Sequence, residues 1–183
     1  MLIDLSDHWD NIISLAHKSH NNKRNNNVKS RHGLEKWGGV ISDINMLLGE
    51  FSVRLYLNLD LDIPIFIGGD MGYDLKYNDI PIEVKYNTRE NGHLIFDFVK
   101  NPSFVAAVAF LVTATNQEKI TRIAGWITRK DFLEKYQEND WGIGKKAWVS
   151  QKSLLSTRLF KETYKSKARD IPFYRKQVLL FNQ

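Results

Sequence analysis

Gly72-Tyr73-Asp74-Leu75-Lys76-Tyr77-Asn78-Asp79-Ile80-Pro81-Ile82-Glu83-Val84-Lys85 carries the strongest structural and chemical signal in this chain. Asn78-Asp79 predicts the two-residue turn of a tight β-hairpin. The arms 72–77 and 80–85 then pair so that Tyr77 meets Ile80, Leu75 meets Ile82 and Asp74 meets Glu83. Side chains alternate along a strand, and cross-strand partners share a face. One face therefore gathers Tyr73, Leu75, Tyr77, Ile80, Ile82 and Val84, all able to enter a core. The other gathers Gly72, Asp74, Lys76, Pro81, Glu83 and Lys85. A slip of one residue would mix the two sets, so the pattern itself argues for the register.

In that register Asp74 and Glu83 form a non-hydrogen-bonded pair, with Cα atoms roughly 4.5 Å apart. Two carboxylates that close repel unless something neutralises them. A hard divalent cation would, and Mg²⁺ commonly takes one or two carboxylates together with phosphate oxygens and water. Lys85, on the same face, adds a donor able to orient water or to stabilise charge developing on a phosphate. The plain alternative is a ladder of ion pairs among Glu83, Lys85, Asp74 and Lys76 on a solvated sheet face.

The remainder of the chain sets bounds on that chemistry. Its 183 residues suffice for one sizeable core, and 43% hydrophobic with 26% charged residues is an ordinary globular composition. No apolar run reaches the ~18 residues of a membrane span. The opening residues hold Asp4, Asp7 and Asp10 without a basic residue, the reverse of a secretory leader, so a cytoplasmic protein is expected. Without cysteine there are no disulfides, thiolate metal sites or cysteine nucleophiles. His17 and His20 share a helical face but lack a third ligand and read as surface residues; His8, His32 and His93 are isolated.

Charge is unevenly spread. Residues 145–183 hold ten Lys and Arg, beginning with Lys145 and Lys146, against Glu162 and Asp170, which gives +8 of the net +5; the rest is −3. Trp148, Phe160, Tyr164, Phe173 and Tyr174 are interleaved with those cations, as on a surface that meets phosphate backbones.

Helical periodicity predicts helices over 5–20 and 34–57. Between them, residues 21–31 alternate Asn with Lys23, Arg24, Lys29 and Arg31, reading as a polar linker or as a basic arm that follows nucleic acid. Glu50 borders the apolar stripe of the second helix beside Gly49, where a carboxylate needs a metal or a partner such as Arg54 at i+4. Strands are expected over 60–67, 94–99, 104–115 (buried on both faces) and 119–128, and a short helix over 129–136. Asn87, Thr88 and Arg89 lie in a polar stretch, 86–93, able to cover a substrate. The glycines at 142 and 144 make no P-loop, since Asn139 and Lys146 stand at positions that need Gly and Ser or Thr; those around Asp70 open no helix, so no dinucleotide fingerprint is present. The expected fold class is α/β in a single domain over 1–183: a mixed β-sheet flanked by helices, with an N-terminal helix and a basic C-terminal extension.

Over 34–128 the order Glu50, Asp74, Glu83, Lys85, in a helix and then a strand meander, resembles the PD-(D/E)XK nuclease superfamily, with Tyr73 at the position of the motif's Pro and Asp70 as a competing ligand. The resemblance implies a restriction-endonuclease-like core and Mg²⁺-dependent hydrolysis of DNA phosphodiesters, with Mn²⁺ as a substitute. Asp74, Glu83 and the Val84 carbonyl would hold the metal, Lys85 would position water, and Glu50 would complete or bridge a second metal site. A homodimer is expected if both strands of a duplex are cut. The alternatives are a structure-specific junction resolvase and a non-catalytic nucleic-acid-binding protein on the same scaffold; an acidic face that meets a basic protein partner is a third.

Overall fold

The computed structural model describes residues 1–25, 39–63, 72–98, 102–142 and 144–165. The chain opens with β1 (Leu2–Asp4) and a single helical turn (Ser6–His8) that runs into α1 (Trp9–Asn25), followed by α2 (Val40–Leu57). The hairpin is β2 (Leu75–Tyr77) and β3 (Ile80–Asn87). After it come β4 (Leu94–Asp97), β5 (Val108–Ala114), β6 (Ile120–Thr128), α3 (Arg129–Lys135), β7 (Gln137–Asp140), β8 (Lys145–Val149) and α4 (Thr157–Lys165). It is an α/β fold with a mixed sheet: five strands lie in the order β1-β6-β5-β3-β2, with β3 and β5 parallel and the other neighbours antiparallel. A second, antiparallel sheet has the order β4-β8-β7.

Sequence chemistry explains the central strand. β5 reads Val-Ala-Phe-Leu-Val-Thr-Ala and is buried at every residue but the last, as a strand covered on both faces must be. Val108, Phe110 and Val112 join the core under the helices, with Phe51 of α2, Ile12 of α1 and Phe160 of α4. Ala109 and Leu111 point the other way, into a second core shared with Leu94 and Phe96 of β4, Ala147 and Val149 of β8 and Phe132 of α3. Phe96 stacks on Phe104 at 4.6 Å between ring centroids, and Phe132 meets both edge-on. Each such ring, fully buried, stabilises the fold by about 1.5–3 kcal/mol.

The hairpin forms as its sequence dictates. Asn78 and Asp79 both take left-handed backbone, φ 48° and 63°, which matches the twist of the flanking strands. Leu75 pairs with Ile82 and Tyr77 with Ile80, and Ile80, Ile82 and Val84 are buried while Pro81, Glu83 and Lys85 are not fully so. Helix α2 stops at Asn58, whose left-handed backbone (φ 55°) directs its N–H to the Arg54 and Leu55 carbonyls. It crosses β3 at Gly49, where an added Cβ would stand 3.2 Å from both Tyr86 Cβ and Val84 Cγ1. That close approach places the next residue, Glu50, beside the hairpin.

Several expectations are corrected. The first helix reaches Asn25, so Lys23 and Arg24 are helical rather than part of a linker, and the remainder of 21–31, with Lys29 and Arg31, lies outside the described residues. His20 is not a bare surface residue: its Nδ1 lies 3.8 Å from the Asp43 carboxylate, a buried acid that also pairs with Lys23 and ties α1 to α2. Residues 60–63 form no strand; 34–38 and 64–67 lie outside the description. Phe160 and Tyr164 are core, not a phosphate-facing surface, because their i, i+4 spacing puts both on the buried stripe of α4. No helix among the described residues is long and apolar enough to cross a membrane.

The close pairing beside β6 offers a test. Leu155 exchanges backbone hydrogen bonds of 2.8 and 3.1 Å with Trp126, and a Cβ at Gly125 would meet the Leu155 carbonyl oxygen at 2.7 Å and Leu154 Cβ at 2.8 Å. Gly125→Ala should therefore lower stability by about 1–3 kcal/mol. Urea unfolding should show a lower midpoint at unchanged slope; an unchanged midpoint would mean that the 154–156 segment is not held there.

Candidate active site

The ladder of β2 ends at Leu75, one residue short of the expected Asp74–Glu83 pair. Instead the Asp74 N–H donates to the Ile82 carbonyl at 2.9 Å, and the Asp74 carboxylate accepts the Val84 N–H at 2.5 Å. Counting outward from the turn, Val84 is where the backbone of residue 73 would have been the partner; the Asp74 side chain takes that role. The carboxylate thus lies at the sheet edge, between the two faces. Because the N–H and C=O of one strand residue project to the same edge, the Val84 carbonyl is directed to this side as well.

Three charged side chains lie around that carboxylate, two from β3 and one from α2. Glu83 and Lys85 project from the face of β3 opposite Val84, and their side chains form an ion pair. The Lys85 ammonium also lies over the ring of Phe96 in β4, 5.3 Å from its centroid. Glu50 arrives from the helix side, buried to 6% exposure, and is held by Arg54 through Nε at 3.0 Å and the terminal nitrogen at 2.9 Å. Arg54 is itself fixed by the Asp60 carbonyl at 2.8 Å.

Asp74 carries the electrostatic cost of the arrangement. As a residue it keeps some surface, but its carboxyl is the enclosed part. Burial, and next the Glu83 charge, push that carboxyl well above the usual carboxylate range; the Val84 N–H and Lys85 oppose the rise, and Glu50 adds to it. Asp74, Glu83 and Glu50 therefore share one electrostatic neighbourhood. Each has a donor of its own, and among the described residues no three His, Asp or Glu side chains stand already clustered for a metal ion.

The other candidates are scattered. Asn87 folds back on its own loop, its amide donating to the His93 carbonyl at 3.2 Å and its Oδ1 accepting the Arg89 N–H at 3.0 Å, while Thr88 and Arg89 are exposed. Lys145 pairs with Glu138 and covers the Phe98 ring at 4.4 Å. Lys146, only 6% exposed, is paired with Asp97, so its ammonium does not face an incoming phosphate. Lys23 is occupied by Asp43, and Arg24 is exposed at the end of α1. Asp70, Lys167, Arg169, Arg175 and Lys176 lie outside the described residues. A surface hollow at Glu138, Asn139, Asp140 and Lys145 shares no residue with the acidic edge. The Phe96 seat under Lys85 had no signal in the sequence, because β4 belongs to a different sheet.

Comparison of the chain with protein-family models, curated proteins and solved structures finds no match.

The raised carboxyl fixes the sign of a pH effect. With its folded-state pKa above the unfolded value near 3.8, Asp74 binds more protons folded than unfolded. Its contribution is fully present below 3.8 and is lost as pH rises toward the raised folded value. Asp74→Asn keeps an oxygen for the Val84 N–H and removes the charge. In metal-free buffer its melting temperature should exceed that of the unaltered protein at pH 7 to 8, with the gap closing in acid. A lower melting temperature at neutral pH would contradict the placement of Asp74.

Proposed function

We propose that the chain is a Mg²⁺-dependent nuclease that hydrolyses DNA phosphodiesters, built on a restriction-endonuclease-like core of the PD-(D/E)XK type. One observation carries the reading. Two carboxylates, Asp74 and Glu83, are gathered beside an ammonium at a sheet edge, and burial followed by the Glu83 charge drives up the proton affinity of Asp74. A cost of that kind, with no packing gain attached, points to chemistry at the site. The order Glu50, Asp74, Glu83, Lys85, with α2 crossing the hairpin at Gly49, supports the same reading.

The donor set fits a hard cation: carboxylate oxygens of Asp74 and Glu83 and the edge-directed carbonyl of Val84. When bound, Mg²⁺, or Mn²⁺ in its place, would offset the acids' repulsion, draw electron density from a phosphate oxygen and make water more acidic. The protein's own groups have separate parts. Lys85, seated on Phe96 and partly exposed, would donate to a non-bridging phosphate oxygen as it gains charge, or to the attacking water. The Glu83 carboxylate holds that ammonium in place until substrate arrives. Arg54 holds Glu50 through two of its nitrogens, and Glu50 would complete or bridge a second metal site. Cutting both strands of a duplex calls for two such sites, hence a homodimer; a junction resolvase would use the same pair of sites on a branched substrate.

A reading without hydrolysis has its own support: the ion pairs Glu83–Lys85 and Glu50–Arg54 satisfy two of the acids as they stand. Purified protein incubated in Mg²⁺ with supercoiled plasmid, single-stranded DNA and a four-way junction separates the two. The nuclease reading expects cleavage of at least one, reduced about 10²-fold or more by Glu83→Gln or Lys85→Ala, with DNA binding in Ca²⁺ retained. All substrates left intact would remove the enzymatic claim and leave binding alone.

A further inference from the structure

Lys76 and Tyr73 form a feature that the acids and Lys85 do not use. Lys76 pairs with Pro81 across the hairpin, so it lies on the same face as Glu83 and Lys85, on the turn side of the acidic edge. It is exposed, and its ammonium stands over the Tyr73 ring, 5.2 Å from the centroid. Other cations already have partners. Lys85 pairs with Glu83, Lys146 with Asp97, and the Arg129 Nε donates to the Phe104 carbonyl at 2.7 Å. Among the described residues no carboxylate lies within ion-pair distance of Lys76.

An ammonium on an aromatic face is held in place without being neutralised, since the ring offers a quadrupole and no formal charge. It can therefore still meet an anion. Lys76 is two residues from Asp74, roughly 6.5 Å along an extended chain. That spans one to two nucleotide steps at about 3.4 Å of rise per nucleotide.

We propose that Lys76, seated on Tyr73, binds a backbone phosphate of the DNA strand beside the one held at the acidic edge, and so sets the register of the strand in the site. The inference rests on the nuclease reading and adds a positioning residue to it. The group makes no contact with the reacting atoms, so its loss should weaken substrate binding and leave the chemical step intact.

The test is equilibrium binding of a short labelled DNA duplex in Ca²⁺, repeated between about 50 and 200 mM salt, with Mg²⁺-dependent cleavage kinetics in parallel. The set is the unaltered protein, Lys76→Gln, Lys76→Arg, and Lys18→Gln as an exposed control on α1. Lys76→Gln should lower the slope of log affinity against log salt by about 0.9, one phosphate's share. It should raise KM with kcat unchanged; Lys76→Arg should restore both, and Lys18→Gln should change neither. An unaltered slope in Lys76→Gln, an equal drop in Lys18→Gln, or a loss of kcat rather than a rise in KM would each overturn the assignment. If the unaltered protein binds no DNA at all, the nuclease reading fails and the inference falls with it, a result distinct from normal DNA binding that ignores Lys76.

Discussion

The parallel ladder between β3 and β5 is the constraint from which the rest follows. Ile82 lies beside Val108, Val84 beside Phe110 and Tyr86 beside Val112, so one face of β3 joins the apolar layer beneath α1, α2 and α4. The same pairing sets Glu83 beside Ala109 and Lys85 beside Leu111, on the face where the second core gathers. Parallel neighbours cannot be joined by a tight turn. The crossover over 88–107 therefore carries β4, and β4 brings Phe96 under Lys85. Packing thus positions the lysine from a sheet that the hairpin itself does not belong to.

At the end of the β2–β3 ladder the structure departs from what packing alone would select. An apolar pair at 74 and 83 would carry no like-charge repulsion. Instead the ladder stops, a side chain replaces a backbone partner, and an acid is placed where burial and like charge both oppose its ionisation. The opposing interactions are local: the Val84 N–H, the Lys85 ammonium, and Arg54 holding Glu50. Sites where several local rules fail together are those at which proteins carry a cost for function.

How much of this was legible depended on whether a residue's partner lay nearby in sequence. The hairpin register could be read because a period of two and a turn dipeptide fix it, and β5 because an apolar run admits few other fates. Glu50 with Arg54 followed from i, i+4 spacing. By contrast β7, Gln-Glu-Asn-Asp, is exposed at every residue and has no hydrophobic pattern to betray it. The cations of 145–183 suggested a single surface, yet Lys146 is buried against Asp97 and Phe160 against Phe110 and Trp126, contacts between distant segments. The hairpin pattern set Asp74 opposite Glu83 on one face, whereas the ladder stops one residue earlier; the Asp74 side chain bonding to the Val84 N–H depends on where it stops, which residue types alone do not say.

If Asp74 and Glu83 together grip a divalent cation, Mn²⁺ reports it directly. Titration followed by electron paramagnetic resonance in the absence of DNA should show a saturable site in the unaltered protein. That site should be lost in Asp74→Asn and in Glu83→Gln, and kept in Asp97→Asn, whose carboxylate belongs to the Lys146 pair. Binding that survives both substitutions at the acidic edge, or disappears only with Asp97→Asn, would contradict it.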